Sequence, residues 1–223
     1  SGAAPLIGAW IIMAGGFHAL LIVTAVIFVI SALPLFFLKS RLYTVPISFG
    51  EVFHHQSVKN NIAFLGHGFD QGLAGTVWPL FLFVAIEQSY AFVGAATTLA
   101  SLCALIAIVI IGKVSNNHAR ITLMLGGLGT SVLWLARLIW VKTPFVVYAT
   151  NALGGIVGSM VVVPFSTLLY NKTQKQHSCH SLITVETLFH VGQVSLYAFL
   201  ALTASFWGAF LLGVLMPVVY FIF

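Results

Sequence analysis

The sequence predicts an all-α polytopic membrane protein with eight transmembrane helices, and three observations carry that prediction. Charged residues make up only 6% of the 223 positions, against about 25% in an average soluble domain. Hydrophobic residues reach 60% and the mean hydropathy is +1.08, more apolar surface than a soluble fold of this length can cover with polar groups. Finally, apolar runs of roughly 20 residues, the length that spans a bilayer, recur between charges and turn signals. The alternating ten-residue pattern of a closed barrel, the other way to cross a membrane, is absent.

The runs follow in order. Residues 2–15 form a short first segment, and 18–38 a second that carries almost no polar side chains, with Thr24 and Ser31 inside it. The chain begins with Ser, almost inside an apolar run and without a cationic leader; this predicts no signal peptide and a missing upstream part. Residues 39–60 form a long polar connection, including RLYTVPISFGEVFHHQSVKN, and make the best domain boundary. They read either as an interfacial amphipathic helix or as a plain linker. The remaining segments are 61–85, 90–112, 121–141, 144–170, 181–203 and 206–223. The last has Tyr220 as its polar side chain and, like 18–38, is suited to lie against lipid.

Loop charge sets the orientation. Lys39, Arg41, Lys59, Lys113, Arg120, Lys172 and Lys175 fall in alternate loops on one side, and only Lys142 on the other. Seven against one places the basic loops and both ends of the chain in the cytoplasm. The formal net charge of +5 is thus a topology signal and not a nucleic-acid footprint. Cys103 and Cys179 give no disulfide framework.

Three segments carry polar stripes. In HGFDQGLAGTVWP, His67, Asp70, Gln71, Ala74 and Trp78 follow helical spacing. Gly68, Gly72 and Gly75 run beside them and permit close helix approach, and Pro79 can kink the helix. Asp70 lies about 14 Å inside the segment, near the bilayer midplane. Glu186, His190, Gln193 and Tyr197 are spaced i, i+4, i+7, i+11 on the seventh segment. The sixth adds Tyr148, Thr150, Asn151, the small run from Gly154 to Ser159, and Pro164.

A charge at the centre of a spanning helix costs about 2.5–3.5 kcal/mol, so such groups face a bundle interior or a wet cavity. Converging stripes predict a solute or proton pathway; the plainer alternative is a hydrogen-bonded pair that only packs helices. Arg137, near a helix end between Trp134 and Trp140, reads as snorkelling to the outer interface. His177, Cys179 and His180 are metal-ligand types, yet no HExxH or GxSxG motif accompanies them. The expectation is a non-enzyme without metal or cofactor.

Together these features resemble the C-terminal two-thirds of a major facilitator superfamily transporter, helices five to twelve. GAAPLIGA (2–9) is similar to the glycine-proline motif of the family's fifth helix, usually G-P-x-x-G-G. The loop GKVSNNHAR (112–120) resembles the second copy of its cytoplasmic G-x-x-x-D-R-x-G-R-R motif. Gly112 and Arg120 match it, while Asn116 stands where the acid is expected. The resemblance implies that 1–38 are the last two helices of the N-terminal half, 39–60 the cytoplasmic interdomain loop and 61–223 a complete six-helix C-terminal half. Asp70 then falls on the cavity-lining seventh helix and Asn151 on the tenth, with 18–38 and 206–223 as the lipid-facing sixth and twelfth. The implied function is alternating-access transport of a small solute, drug or metabolite across a plasma (inner) membrane. Implied partners are that solute, a coupling proton, the lipid bilayer and the missing upstream helices. An intramembrane metal-dependent enzyme and a non-transporting scaffold of the same fold are the alternatives.

Overall fold

The structure is a computed structural model that describes residues 2–37, 57–141, 143–176 and 179–222; side chains at 35, 116, 117 and 172–181 are outside the description. The linker 39–56, the side chains of His177, Cys179 and His180, Lys142, and Asn116 of the loop motif therefore lie outside the described residues. Among the described residues every regular element is a helix. Six helices are long and apolar enough to cross a membrane: Ala4–Pro34, Val58–Ile86, Tyr90–Ser115, His118–Trp140, Pro144–Asn171 and Leu182–Thr203. The chain has the make-up of an integral membrane protein.

We label the helices α1 (Ala4–Phe37), α2 (Val58–Ile86), α3 (Tyr90–Ser115), α4 (His118–Trp140), α5 (Pro144–Gln176), α6 (Cys179–Thr203) and α7 (Phe206–Phe221). Six spans rather than eight meet the length criterion because the two ends of the chain depart from the expected pattern. The two segments expected at the start of the chain join in α1 over Ala4–Phe37, and α7 is a shorter apolar helix whose last turns, Met216–Phe221, tighten to 3-10 geometry at Pro217. Gly16 breaks α1 with φ 72°, a left-handed value that a Cβ disfavours. Twelve residues of straight helix would separate Gly8 from Leu20 by about 18 Å. Instead a Cβ built on Gly8 would meet Leu20 Cδ1 at 3.8 Å, so the second arm folds back past the first. The first arm is held to α3, where Thr98 Oγ1 accepts from the Leu6 amide at 3.1 Å.

Sharp turns connect the spans on the side opposite the basic loops. Ser89 caps α3 by accepting from the Phe92 amide, and Ser205 caps α7 by accepting from the Gly208 amide. At the other end the backbone stays helical through the GKVSNNHAR loop, except at His118, whose φ of −135° and ψ of 37° separate α3 from α4.

The interior has two apolar clusters at different depths. One gathers Phe69, Leu73, Trp78, Phe81, Trp134, Leu196 and Phe210 among others; the second gathers Phe64, Leu123, Val161, Phe165, Leu188 and Tyr220 with their neighbours. Tyr220 and Phe210 bury one face of α7 in these clusters, so that helix is not simply a lipid-facing wall. Outside, α1 and α3 expose Trp10, Phe28, Ile106, Val109 and Ile110, a surface suited to lipid and costly in water.

Where α2 crosses α6, two glycines have no room for a side chain. A Cβ on Gly68 would strike the backbone carbonyl of Phe189, and one on Gly192 that of Leu65, so α2 and α6 meet backbone to backbone. This contact lies next to His67 and two residues from Asp70, and it fixes where α2 sits.

Candidate functional site

Between α2, α3, α4 and α5 lies a cavity of about 310 Å³ lined by Asp70, Gln71, Trp78, Thr97, Ser101, Thr130, Trp134, Arg137, Asn151 and Ser159, with small residues between them. Asp70 is twelve residues past Val58 and sixteen before Ile86, or about 18 and 24 Å along the helix. It therefore sits near mid-span.

The local backbone explains how Asp70 and Trp78 reach one cavity. Eight residues of regular α-helix would leave them about 80° apart around the axis. Residues Leu73–Val77 instead form a π turn, in which the Trp78 amide donates to the Leu73 carbonyl five residues back. The extra residue turns Trp78 back toward the Asp70 face. Pro79 follows at once and has no amide hydrogen to give Gly75, which suits an opened ladder there.

One network holds the upper wall. Trp78 Nε1 donates to Asn151 Oδ1 at 2.7 Å, and Arg137 Nη2 donates to the same oxygen at 3.1 Å. Arg137 Nη2 also lies 3.4 Å from the Thr150 carbonyl. The guanidinium carbon sits 4.0 Å from the Trp78 ring centroid and 4.6 Å from that of Trp134. Such a desolvated cation–π contact is worth about 2 kcal/mol. Arg137 is only 5% exposed. The expected snorkelling is thus corrected: Asn151, the Thr150 carbonyl and two indole faces give the cation a better environment inside than an interface would.

A second network leaves the lower wall. Tyr220 donates to Asp70 Oδ2 at 3.4 Å, and His67 Nδ1 lies 2.9 Å from the Tyr220 hydroxyl. Because that hydroxyl has one proton, its donation to Asp70 makes it the acceptor from the His67 Nδ1–H tautomer. Among the described residues, the two networks leave three buried atoms around the cavity without a partner: Asp70 Oδ1, Arg137 Nε and Asn151 Nδ2. An acceptor and two donors are thus available to something that enters.

Of the residues singled out in the sequence, Asp70, Gln71, Trp78 and Asn151 line this cavity. His67 is one step away through Tyr220 and lines a separate cavity of about 180 Å³ with Glu186. The α6 stripe points elsewhere. Glu186 and His190 are 66% and 67% exposed, with His190 Nε2 3.9 Å from Glu186 Oε2. His190 Nδ1 bonds Gln193 Oε1, and Tyr197 donates to Thr76 Oγ1 at 3.0 Å. Gly112 has open space beside it and Arg120 is exposed. Helical spacing did not bring forward Arg137 and Trp134, which line the cavity, or Tyr220, which reaches Asp70 from outside its lining.

Among the described residues no group of three His, Cys, Asp or Glu side chains is placed to hold a metal ion. No protein-family model, curated protein or solved structure matches the chain.

Proposed function

We propose that this protein is a secondary transporter of the major facilitator type, in which the described helices contribute eight crossings, α1 supplying two and α7 the last. The reading is supported most by one observation: a mid-span cavity whose walls present Asp70 Oδ1, Arg137 Nε and Asn151 Nδ2 unpartnered. Leaving buried polar atoms unsatisfied costs about 1–3 kcal/mol each, and a scaffold gains nothing from that expense. A binding site does, because a solute with complementary groups recovers it. The cavity suits a small polar solute with an apolar or aromatic body, the polar end meeting Asp70 and Arg137 and the body lying against Trp78 and Trp134.

Asp70 is the coupling group. Protonation removes the penalty on a midplane carboxylate and weakens its attraction to Arg137, so occupancy by a proton biases one conformation. The exposed stripe of Glu186, His190, Gln193 and Tyr197 continues past Gln71 and Thr76 as a polar face, and we assign it to the surface that meets upstream helices of the same chain in alternating access. In this reading both ends face the cytoplasm of a plasma (inner) membrane, as the loop charges predict.

The test uses the full-length protein in proteoliposomes, with a panel of labelled solutes and an imposed pH gradient. Gradient-driven accumulation of at least one solute is expected, and Asp70→Asn abolishes it while the variant still elutes as folded protein. Unchanged pH-dependent transport in Asp70→Asn removes the coupling role. Failure of every solute to move with or without a gradient removes the transporter reading.

A further inference from the structure

We propose that Tyr220 and His67 form a proton wire that loads Asp70 from the 180 Å³ cavity beside Glu186, so the coupling proton and the solute reach Asp70 by different routes. This rests on the proton-coupled reading above.

The geometry that carries it is continuous. Asp70 Oδ2 faces the Tyr220 hydroxyl at 3.4 Å, that hydroxyl faces His67 Nδ1 at 2.9 Å, and the imidazole lines the second cavity. His67 is clamped there by aromatic rings, with its ring 4.2 Å from that of Phe165 and 5.7 Å from that of Phe189. Glu186 lines the same cavity and is 66% exposed, which opens it to the surface. A purely structural hydrogen bond would not require His67 to border a cavity that Glu186 also lines. Among the described residues, the charged and titratable groups facing this path are Arg137 from α4 and Tyr220 from α7 at Asp70, and Glu186, itself beside His190, at the cavity.

The transfer balances without a charged tyrosine. Water in the second cavity delivers a proton to His67 Nε2 as Nδ1–H passes to the Tyr220 oxygen. The Tyr220 O–H proton passes to Asp70 Oδ2. One proton leaves the water and one arrives on the carboxylate; His67 has exchanged tautomers, and turning of the ring or the reverse transfer resets it. A solute in the larger cavity still meets Asp70 Oδ1, which the wire does not use.

The experiment follows the Asp70 carboxyl by time-resolved infrared absorption after a pH jump, in full-length protein in lipid nanodiscs. The band is assigned by its loss in Asp70→Asn. Tyr220→Phe keeps the ring in its packing and removes the relay oxygen. It is expected to retain the band's amplitude while its rate falls by about 100-fold, the size of effect a positioned proton-transfer group commonly supplies. His67→Phe preserves the stack on Phe165 and is expected to slow the rate equally. Removing a hydrogen bond that only packs helices would shift the band or the midpoint, not the rate alone. Rates unchanged in both variants overturn the wire and leave the transporter reading standing; absence of any Asp70 band change overturns the wire and proton coupling together. Should either variant fail to fold, the unmodified protein in mixtures of H₂O and D₂O decides. A rate that falls along a curve as deuterium rises supports several protons in flight, and a rate indifferent to deuterium overturns the wire.

Discussion

Asn151 accepts two hydrogen bonds through one buried oxygen, from Trp78 and from Arg137. Replacing it with alanine strands an indole N–H and part of a guanidinium in a place water reaches poorly. Asn151→Ala is therefore expected to lose about 1–3 kcal/mol, read as a lower unfolding temperature in detergent. Tyr197 is the contrasting case, because its bond to Thr76 lies on an exposed face; Tyr197→Phe should stay within about 0.5 kcal/mol of the parent in the same assay. Asp70, Trp78 and Asn151 were legible in the sequence as polar groups at helical spacing inside apolar runs. Arg137 was not, since an arginine near a helix end beside tryptophans has one local pattern whether it reaches outward or turns in. What turns it in is Asn151, fourteen positions away on the next helix. Tyr220 was hidden for a similar reason: in an otherwise apolar segment, nothing local reveals a partner on α2.

At the scale of elements, the α2–α6 crossing is one of the tightest contacts in the bundle, alongside that of Gly155 on the Ala100 carbonyl. Any side chain at Gly68 or Gly192 must displace a backbone, not another side chain. Gly68→Val and Gly192→Val are expected to lower the yield of folded protein severely, judged by size-exclusion profile. Gly75→Ala, which meets open space on the same helix, should be tolerated. The opposite result, with all three equal, would mean that the helices do not meet there. The glycine stripe on α2 and the positions of the helices were readable from composition and breaks. The π turn at Leu73–Val77 was not, because a one-residue change of register leaves hydropathy untouched and shows only in which residues end up side by side. The fold-back of α1 depends likewise on one glycine angle.

At the scale of the molecule, loop charge predicts a topology that labelling can check. Glu87 precedes α3 at one end, and Arg120, in the first turn of α4, follows it at the other. In a cysteine-free background Arg120→Cys is expected to react with a membrane-impermeant maleimide only after the cell is opened, and Glu87→Cys in intact cells. Labelling of both from outside would place the basic loops on the wrong side or remove α3 from the bilayer. Composition makes the all-helical class readable and loop charge supplies the orientation that this labelling tests, whereas the meeting of α2, α4 and α5 shows only in the packing.

The glycine crossing also has a mechanical meaning. With no side chain between their backbones at Gly68 and Gly192, α2 and α6 form a stiff pivot there, and Gly68 lies beside His67 on one arm while Gly192 lies beside Gln193 on the other. A load on the exposed stripe of α6 passes through that fulcrum to the helix that carries Asp70, without being absorbed on the way.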